Sequence, residues 1–317
     1  MTALEGRTAT VLPAGEPPDR ADRPQPRSRL IAYGRWWWAL PALGLMLVTI
    51  YLSTATGAFY AFTDWTGAGP FHFVGLSNFT RVFRTPELLG SLTNTLLLAF
   101  GFLVFTNVFG LLFALALNRT LKTRYLLRTL IFMPVVLSPI AVSYVWKFIF
   151  AFDGPLNQFL GSIGLTSLQQ DWLASPRLAL ACILVVMVWQ NTGFVMVTYL
   201  AGLATVPPEL EEAAALDGAG PWRRFRSVTL PLIQPALAIA TTLTLIQGLR
   251  VFDQVVALTG GGPAGATETL ATEVYKETFT YNAFGSGAAM ALLLSALILI
   301  FSIAQQYATR DRAQIGG

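Results

Sequence analysis

The sequence predicts an all-α protein that crosses a membrane several times, and its composition is the first indication. Of its 317 residues, 54% are hydrophobic and only 12% are charged, and the mean hydropathy is +0.57. An average soluble domain carries about 25% charged residues. The composition therefore excludes a water-soluble globule and indicates a polytopic membrane protein.

Long apolar runs are the second indication. A helix needs about 20 apolar residues to cross a bilayer core of roughly 30 Å. Six such runs are predicted as spans, at approximately residues 37–61, 91–117, 126–150, 178–204, 236–258 and 283–305. The fifth contains Arg250 and Asp253, yet the segments on either side are too apolar to lie in water. Six spans place both chain ends on the same side of the membrane.

The distribution of Lys and Arg predicts which side that is, because cytoplasmic loops carry an excess of these residues. Fifteen of them lie in the stretch before the first span, in the loops after spans two and four, and in the C-terminal tail. The other three loops hold only five: Arg81, Arg84, Lys147, Arg177 and Lys276. Both termini are therefore predicted to be cytoplasmic.

Three segments follow from this topology. Residues 1–34 contain five prolines and mixed charge with little apolar patterning, which predicts a disordered cytoplasmic leader. Residues 35–305 form the six-span transmembrane domain, and residues 306–317 a cytoplasmic tail. The net charge of +4 arises from 21 basic and 17 acidic residues, a balance too even to indicate nucleic-acid binding.

The cytoplasmic loop at residues 205–235 predicts two short helices joined by a hinge. Pro207 and Pro208 suit a helix start, and the glutamates that follow favour the positive end of its dipole. Gly218 can adopt the left-handed conformation that ends a helix, and Pro221 can begin a second one. From this pattern alone, an amphipathic connector lying on lipid headgroups is an equally good interpretation.

Three segments of this loop carry a family resemblance. Glu212-Ala213-Ala214, Asp217-Gly218-Ala219 and Leu230-Pro231 resemble, at this spacing, the EAA motif of permease subunits of bacterial ABC importers. In that family the first loop helix is a coupling helix, which docks in a groove of the cytoplasmic ATPase. The resemblance implies an ATPase-coupling role for six residues: Glu212, Ala213, Ala214, Asp217, Gly218 and Ala219.

Other stretches resemble the carbohydrate permeases of the maltose and glycerol-phosphate type within that family. They are Phe73-Val74-Gly75-Leu76-Ser77-Asn78-Phe79, Asn94-Thr95, Arg128 with Pro134, Trp146-Lys147, Gly154 with Asn157, Phe252-Asp253, and Thr259-Gly260-Gly261-Gly262-Pro263. The likeness covers about residues 37–305. It implies a bacterial cell-membrane permease that moves a sugar or related polyol by alternating access.

The resemblance also implies partners. These are a second homologous permease, an ABC ATPase dimer, an extracytoplasmic solute-binding protein and membrane lipid. The three lysines, Lys122, Lys147 and Lys276, follow Leu, Trp and Tyr, so no Gly-Lys pair for a phosphate-binding loop is present. ATP is accordingly expected on the partner subunits, with no cofactor or metal on this chain, and Gly260–Gly262 is expected to be a flexible outer turn.

Polar side chains at membrane depth predict a solute path. Charged groups there cost roughly 2.5 to 3.5 kcal/mol each, so Arg250 and Asp253 are expected to pair with each other or face a water-filled cavity. On a continuous helix Gln247, Arg250 and Gln254 share a face that suits sugar hydroxyls. A structural Arg–Asp pair is the alternative. Asn191, in the middle of span four, is a further candidate, with interhelical hydrogen bonding as its alternative role.

Two other functions fit the sequence less well. An ion-coupled secondary transporter would need acids on an ion path, and Asp253 is the only intramembrane candidate. An intramembrane enzyme would need a nucleophile with its base or a set of metal ligands, whereas the chain has one cysteine and one histidine. The chain is therefore predicted to be a transport subunit without catalytic residues.

Overall fold

The computed structural model describes residues 36–119 and 121–314. The predicted leader, residues 1–34, lies outside the described residues, as does the end of the predicted tail at 315–317. The residues from Thr54 onward form one compact unit. The other unit ends at Ser53 and is described from Trp36, with a 3-10 turn at Trp36–Ala39 followed by the first part of a helix.

The described residues are helical and contain no strand, which confirms the predicted fold class; an isolated antiparallel bridge joins Thr63 to Phe73. The helices that matter below are α1 Leu40–Tyr60, α2 Ser77–Arg84, α3 Pro86–Leu117, α4 Arg124–Val136, α5 Pro139–Ile149, α6 Pro155–Ser162, α7 Pro176–Leu203, α8 Pro208–Leu216, α9 Pro221–Leu232, α10 Gln234–Leu249, α11 Asp253–Leu258, α12 Leu270–Tyr275 and α13 Phe284–Gln314. A π-helical turn, Lys276–Thr280, continues α12.

Within residues 36–119 and 121–314, four helices are long and apolar enough to cross a membrane unbroken: α1, α3, α7 and α13. They correspond to predicted spans one, two, four and six. Two bent helix pairs raise the number of possible spans to six if each pair is one span. α13 also continues past the predicted start of the tail at residue 306, as far as Gln314.

Predicted span three is not one helix, which corrects the expectation of a continuous run. α4 and α5 meet at an angle of 101°. Leu137 and Ser138 adopt extended conformations between them, with ψ of 146° and 131°. The residue before a proline is disfavoured in a helix, so Pro139 forces Ser138 out of helical geometry and then begins α5.

Predicted span five is also interrupted. Just before its predicted start at residue 236, α9 and α10 meet at 74°, next to Pro235, whose ring cannot continue a helix through the preceding turn. α10 then stops at Leu249, and the chain leaves helical geometry before α11 begins at Asp253. The expectation of one helix over residues 236–258 is therefore wrong.

The core is built around α7. At one end, Ile183 and Val186 of α7 pack with Val255 and Leu258 of α11; at the other end, Tyr199 and Leu203 pack with Ile233 and Ala236. Gly193 lies directly against the backbone of α4, where a Cβ would overlap the Ile131 carbonyl oxygen. Small residues of this kind allow membrane helices to approach closely.

The loop at residues 259–283 is fastened to the helices beneath it. The Asn94 amide donates to the carbonyls of Ala266 and Glu268, each at 2.9 Å. Thr95 Oγ1 accepts the backbone N–H of Leu270 at 2.9 Å, and Thr269 Oγ1 donates to the Val251 carbonyl at 3.1 Å, within the break in span five.

The glycine run in this loop, expected to be a flexible turn, is joined to the rest of the loop by hydrogen bonds. Gly260 and Gly261 have φ of +60° and +85°, a region that favours glycine. Thr267 Oγ1 donates to the Gly262 carbonyl at 2.8 Å, and the Thr267 N–H donates to Gly261 O at 3.1 Å. These bonds hold the turn against the rest of the loop.

Charged side chains join the same loop to α2. Arg81 forms a bidentate pair with the buried Glu277, at 3.2 and 3.1 Å, and Lys276 pairs with the buried Glu268. Burial raises the pKa of a third carboxyl, Glu273, to about 7, and the negative charge of Glu268 adds to the effect. The loop thus contains a buried carboxyl that titrates near neutrality.

Candidate functional site

The predicted coupling helix forms as α8, and its end is defined by a Schellman motif. Gly218 follows the helix with a φ of +78°. Its N–H donates to the Ala215 carbonyl at 3.0 Å, and the Ala219 N–H donates to the Ala214 carbonyl at 3.0 Å. This 5→2 and 6→1 pair satisfies carbonyls that the helix end leaves without partners. The left-handed position expected at Gly218 is present.

α8 divides into a face toward the protein and a face toward solvent. Glu211 and Ala214 are half-buried, and Glu211 accepts a hydrogen bond of 2.9 Å from Thr229 Oγ1 of α9. Glu212 and Leu216, four residues apart, are exposed, and Leu216 retains 90% of its accessible surface. Of the other predicted coupling residues, Ala213 and Asp217 are exposed and Ala219 is half-buried.

A leucine exposed to this degree beside an exposed glutamate is a surface suited to a protein partner, because apolar residues of this size gain most from burial at an interface. The Glu211–Thr229 bond holds α8 to α9, and α9 leads directly into α10. A hydrogen bond and a continuous chain therefore link α8 to α10.

A second candidate site lies at membrane depth. All five predicted path residues line one cavity of about 320 Å³: Asn191, Gln247, Arg250, Asp253 and Gln254. Gln247 and Arg250 are exposed in the single chain, Asn191 and Asp253 are half-buried, and Gln254 is buried. Their amide, guanidinium and carboxylate groups offer both hydrogen-bond donors and acceptors to a polar solute.

The two breaks in the spans meet at this cavity. Leu137 and Pro139, at the break in span three, and Val251 and Phe252, at the break in span five, are all among its lining residues. Non-helical backbone at membrane depth is tolerated only where it is buried in protein or lines a water-filled cavity. The irregular backbone therefore indicates a polar cavity at this place.

Of the two alternatives for Arg250 and Asp253, the ion pair is not formed, since no salt bridge within 4.0 Å joins these two described residues. The expectation assumed a continuous helix, on which residues three apart share a face. The helix stops at Leu249 and restarts at Asp253, so the two charges leave the chain from different elements. Gln247 and Gln254 likewise share the cavity but not a helix face.

Gln190 also lines this cavity, although it is not among the path residues predicted above. It is 3% exposed, donates to the Leu137 carbonyl at 3.0 Å and accepts from Gln254 Nε2 at 3.3 Å. It therefore connects α7 to both broken spans. The sequence shows that Gln190 is an amide next to Asn191 in an apolar helix. It does not show in which direction the Gln190 side chain points.

Three asparagines from the family-like motifs hold loops and do not line the cavity. Asn78 donates to the carbonyls of Ala61 and Thr63, each at 2.9 Å, and Asn94 fastens the 259–283 loop as described above. Asn157 donates to the carbonyls of Phe152 and Gln170 at 2.9 and 2.8 Å. Each amide thus joins two backbone carbonyls, which is a structural role.

Asn107 lies in a separate polar connection between helices. Its carbonyl accepts from Tyr199 Oη at 2.7 Å, and its amide donates to Thr244 Oγ1 at 2.9 Å. This joins α3, α7 and α10 without lining the cavity.

Trp146 packs edge-on against Trp189, with ring centroids 5.4 Å apart.

Comparison with known proteins places this architecture in a family. Residues 106–314 match the family described as "Binding-protein-dependent transport system inner membrane component". The multiple sugar-binding transport system permease protein MsmF of Streptococcus mutans is 35% identical over 281 residues, with 88% of this chain and 96% of that protein covered. The trehalose/maltose transport system permease protein MalF of Thermococcus litoralis is 36% identical over 267 residues, covering 83% and 89%.

A solved structure shares the fold. A chain in the crystal structure of a bacterial alginate ABC transporter, in complex with an alginate pentasaccharide-bound periplasmic protein, aligns with a TM-score of 0.77 at 23% identity. The alignment covers 90% of this chain and 96% of the other. At this identity the likeness supports the fold.

The match over residues 106–314 includes the EAA-like loop at residues 205–235 and most of the cavity. The resemblance inferred from the EAA loop is thereby confirmed, and the chain is a multi-pass inner-membrane transport component and not an enzyme. The chain belongs to the family of inner-membrane components of binding-protein-dependent transport systems, as a permease subunit of an ABC importer.

Proposed function

We propose that this permease moves a sugar or a related polyol, and that the solute passes the cavity lined by Asn191, Gln247, Arg250, Asp253 and Gln254. The observation that carries the proposal is the meeting of both broken spans with these polar side chains at one cavity. Planar amides and a guanidinium suit hydroxyl groups in a site shielded from bulk water. Relatives named for sugar transport, MsmF and MalF, support the substrate class.

The proposed mechanism is alternating access driven from outside this chain. Closure of a partner ATPase dimer moves α8 through its exposed face, and α9 and α10 carry the movement to the break beside the cavity. Glu212, Ala213, Ala214, Asp217, Gly218 and Ala219 form or position that contact. A second homologous permease completes the pathway, a solute-binding protein delivers the solute, and ATP is bound only by the partner subunits.

The proposed orientation places α8 and both termini in the cytoplasm and the 259–283 loop outside. The support is the asymmetry of Lys and Arg between the two sets of loops. Family membership leaves no support for the alternative of an ion-coupled secondary transporter. The break in span five removes a further argument for that alternative, because Asp253 is the N-terminal residue of α11 at the cavity and not an acid within a continuous span.

A matched pair of substitutions on α7 tests the path. Asn191 and Thr198 each donate to the carbonyl four residues earlier, at 2.9 and 3.0 Å, but only Asn191 lines the cavity. We expect Asn191→Leu to reduce solute-stimulated ATP hydrolysis and shift its concentration dependence about tenfold, since an unpaired polar contact to the solute costs on the order of 1.5 kcal/mol. Thr198→Val should leave both unchanged.

The measurement uses the assembly purified through a tag on this chain, with its co-expressed partners and binding protein, at matched abundance. Maltose, trehalose and glycerol phosphate are tested one at a time as the stimulating solute. An Asn191→Leu variant with the concentration dependence of the unmodified protein would contradict the proposed path.

A further inference from the structure

A second large cavity lies between the end of α3 and the loop helix α9, away from the solute path. Its volume is about 740 Å³, within the range of small-molecule sites. We call it the α3–α9 cavity. Its lining includes Val108, Leu112, Arg119, Glu211, Trp222 and Arg224.

One wall of the α3–α9 cavity is apolar. Val108 and Leu112 of α3 are exposed at 48% and 56%, although they belong to a helix apolar enough to cross the membrane. Trp222, which is 71% exposed, closes the wall from α9, with its ring 5.7 Å from that of Phe225. An exposed tryptophan at the end of a span is typical of a membrane–water interface.

The other end of the cavity is basic. Arg119 follows the end of α3, and Arg224 projects from α9. The Arg224 Nε–H is buried and has no acceptor among the described residues. A buried donor of this kind is costly unless something accepts from it.

The third charged lining residue is Glu211, whose carboxylate accepts from Thr229. With two arginines and one glutamate, the α3–α9 cavity carries an excess of one positive charge. A basic end joined to an apolar wall, at the level where a span meets the interface, matches the two parts of one kind of molecule: an anionic head and a hydrocarbon chain.

We propose that the α3–α9 cavity binds an anionic phospholipid from the leaflet at this end of the bundle. The phosphate lies between Arg119 and Arg224 and accepts from their guanidinium groups, and an acyl chain lies along Val108 and Leu112. Charge complementarity selects an anionic head, and the exposed apolar wall selects a lipid over a free phosphate ion. The bound lipid fills the space between α3 and α9, next to the residue that holds α8.

The test uses a matched pair of arginines. Arg223 and Arg224 are neighbours on α9 and carry the same charge, but only Arg224 lines the cavity. The full chain, purified with its co-expressed partner subunits, is titrated with dioleoyl phosphatidylglycerol or dioleoyl phosphatidylcholine, and bound lipid is counted by native mass spectrometry. Arg224→Gln and Arg119→Gln should each weaken phosphatidylglycerol binding about fivefold, the effect expected for one basic residue at an anionic surface.

Arg223→Gln should change that binding less than twofold, and phosphatidylcholine should bind more weakly than phosphatidylglycerol to the unmodified protein. Equal losses from Arg223→Gln and Arg224→Gln would show general surface attraction and overturn the site. Equal binding of the two lipids would overturn the anionic head, and full displacement by excess inorganic phosphate would overturn the lipid. Arg119→Gln keeps the test valid if Arg224→Gln reduces the yield, because the exposed Arg119 is not part of the packed core.

Discussion

The backbone conformation of Gly218 ends α8, and the proposed coupling to the ATPase depends on it. A Cβ built on Gly218 has open space around it, so no neighbour would be displaced by a larger side chain. The constraint is its φ of +78° alone, which L-residues adopt at a cost of roughly 1–2 kcal/mol. A substitution there acts on the direction of the chain after α8 and not on packing.

Gly220 provides the matched control for the first prediction. It also has open space around an added Cβ, but its φ is −65° and its ψ is 166°, which any residue adopts. Gly218→Ala should keep its abundance in the membrane and lose solute-stimulated ATP hydrolysis, because α8 no longer meets the ATPase in the same orientation. Gly220→Ala should retain solute-stimulated ATP hydrolysis. Equal activity of both variants at matched abundance would remove the coupling role of this turn.

The sequence indicates Gln247, Arg250, Asp253 and Gln254 in one span and, separately, Asn191 in another, and all five line one cavity. Composition and spacing were not enough to predict how these residues meet. A helical wheel assumes a continuous helix, but the helix is broken at residues 250–252. Without that helix, Arg250 and Asp253 do not share a face and do not pair. Neighbouring amides on one helix point about 100° apart, so the choice between Gln190 and its neighbour needed the positions of the surrounding elements.

At the scale of elements, the two broken spans show what apolar runs cannot reveal. Hydropathy reports that a segment is apolar and says nothing of its direction. The break before Pro139 has a local cause that the sequence displays, since proline restricts the residue preceding it. The break after Leu249 has no proline nearby; its Val251 carbonyl is satisfied by Thr269, which is 18 residues further along the chain.

The 259–283 loop is the element for which a pH effect is expected. Arg81, Glu268, Lys276 and Glu277 surround Glu273, and the pKa of Glu273 is about 7 in the folded loop, above the range of an exposed glutamate. Between the two values the folded loop holds a proton that the unfolded loop has released. Its stability should therefore be greatest at low pH and fall as pH rises toward 7.

Hydrogen exchange of the α12 amides, corrected for the intrinsic pH dependence of exchange, measures this effect. Protection should decrease from pH 5 to pH 8 in the unmodified protein. Glu273→Gln, which is neutral throughout, should abolish the decrease. Glu87→Gln is the control, because Glu87 lies near Glu273 but is exposed. A pH profile shared by the unmodified protein and Glu273→Gln would contradict the assignment.

At the scale of the whole molecule, the all-α class and four of the spans followed from composition and run length. Which polar residues hold loops and which line the cavity did not follow from the sequence. Asn78, Asn94 and Asn157 belong to stretches that resemble the family's pattern, yet each holds two loop carbonyls. A family pattern marks residues that the fold needs as readily as residues that a solute touches, and contacts are required to distinguish them.

The topology prediction belongs to this scale. Fluorescent tags that mature only in the cytoplasm should be bright at both ends of the chain and after Gly218, and dark when inserted at Gly260. Arg-rich segments of the short loops resist transfer across the membrane, which is the physical reason. A dark tag at either terminus would contradict the six-span arrangement.

Asn78, Asn94 and Asn157 are sensitive to a chemical change that leaves the shape of their side chains almost unaltered. Exchange of the amide nitrogen for oxygen, as in deamidation, leaves the outline of the side chain almost unchanged. It removes both hydrogens that the facing carbonyls accept and, in the ionised acid, sets like partial charges against each other. Single atoms at Asn78, Asn94 and Asn157 thus decide whether a loop is attached to its helix or repelled from it.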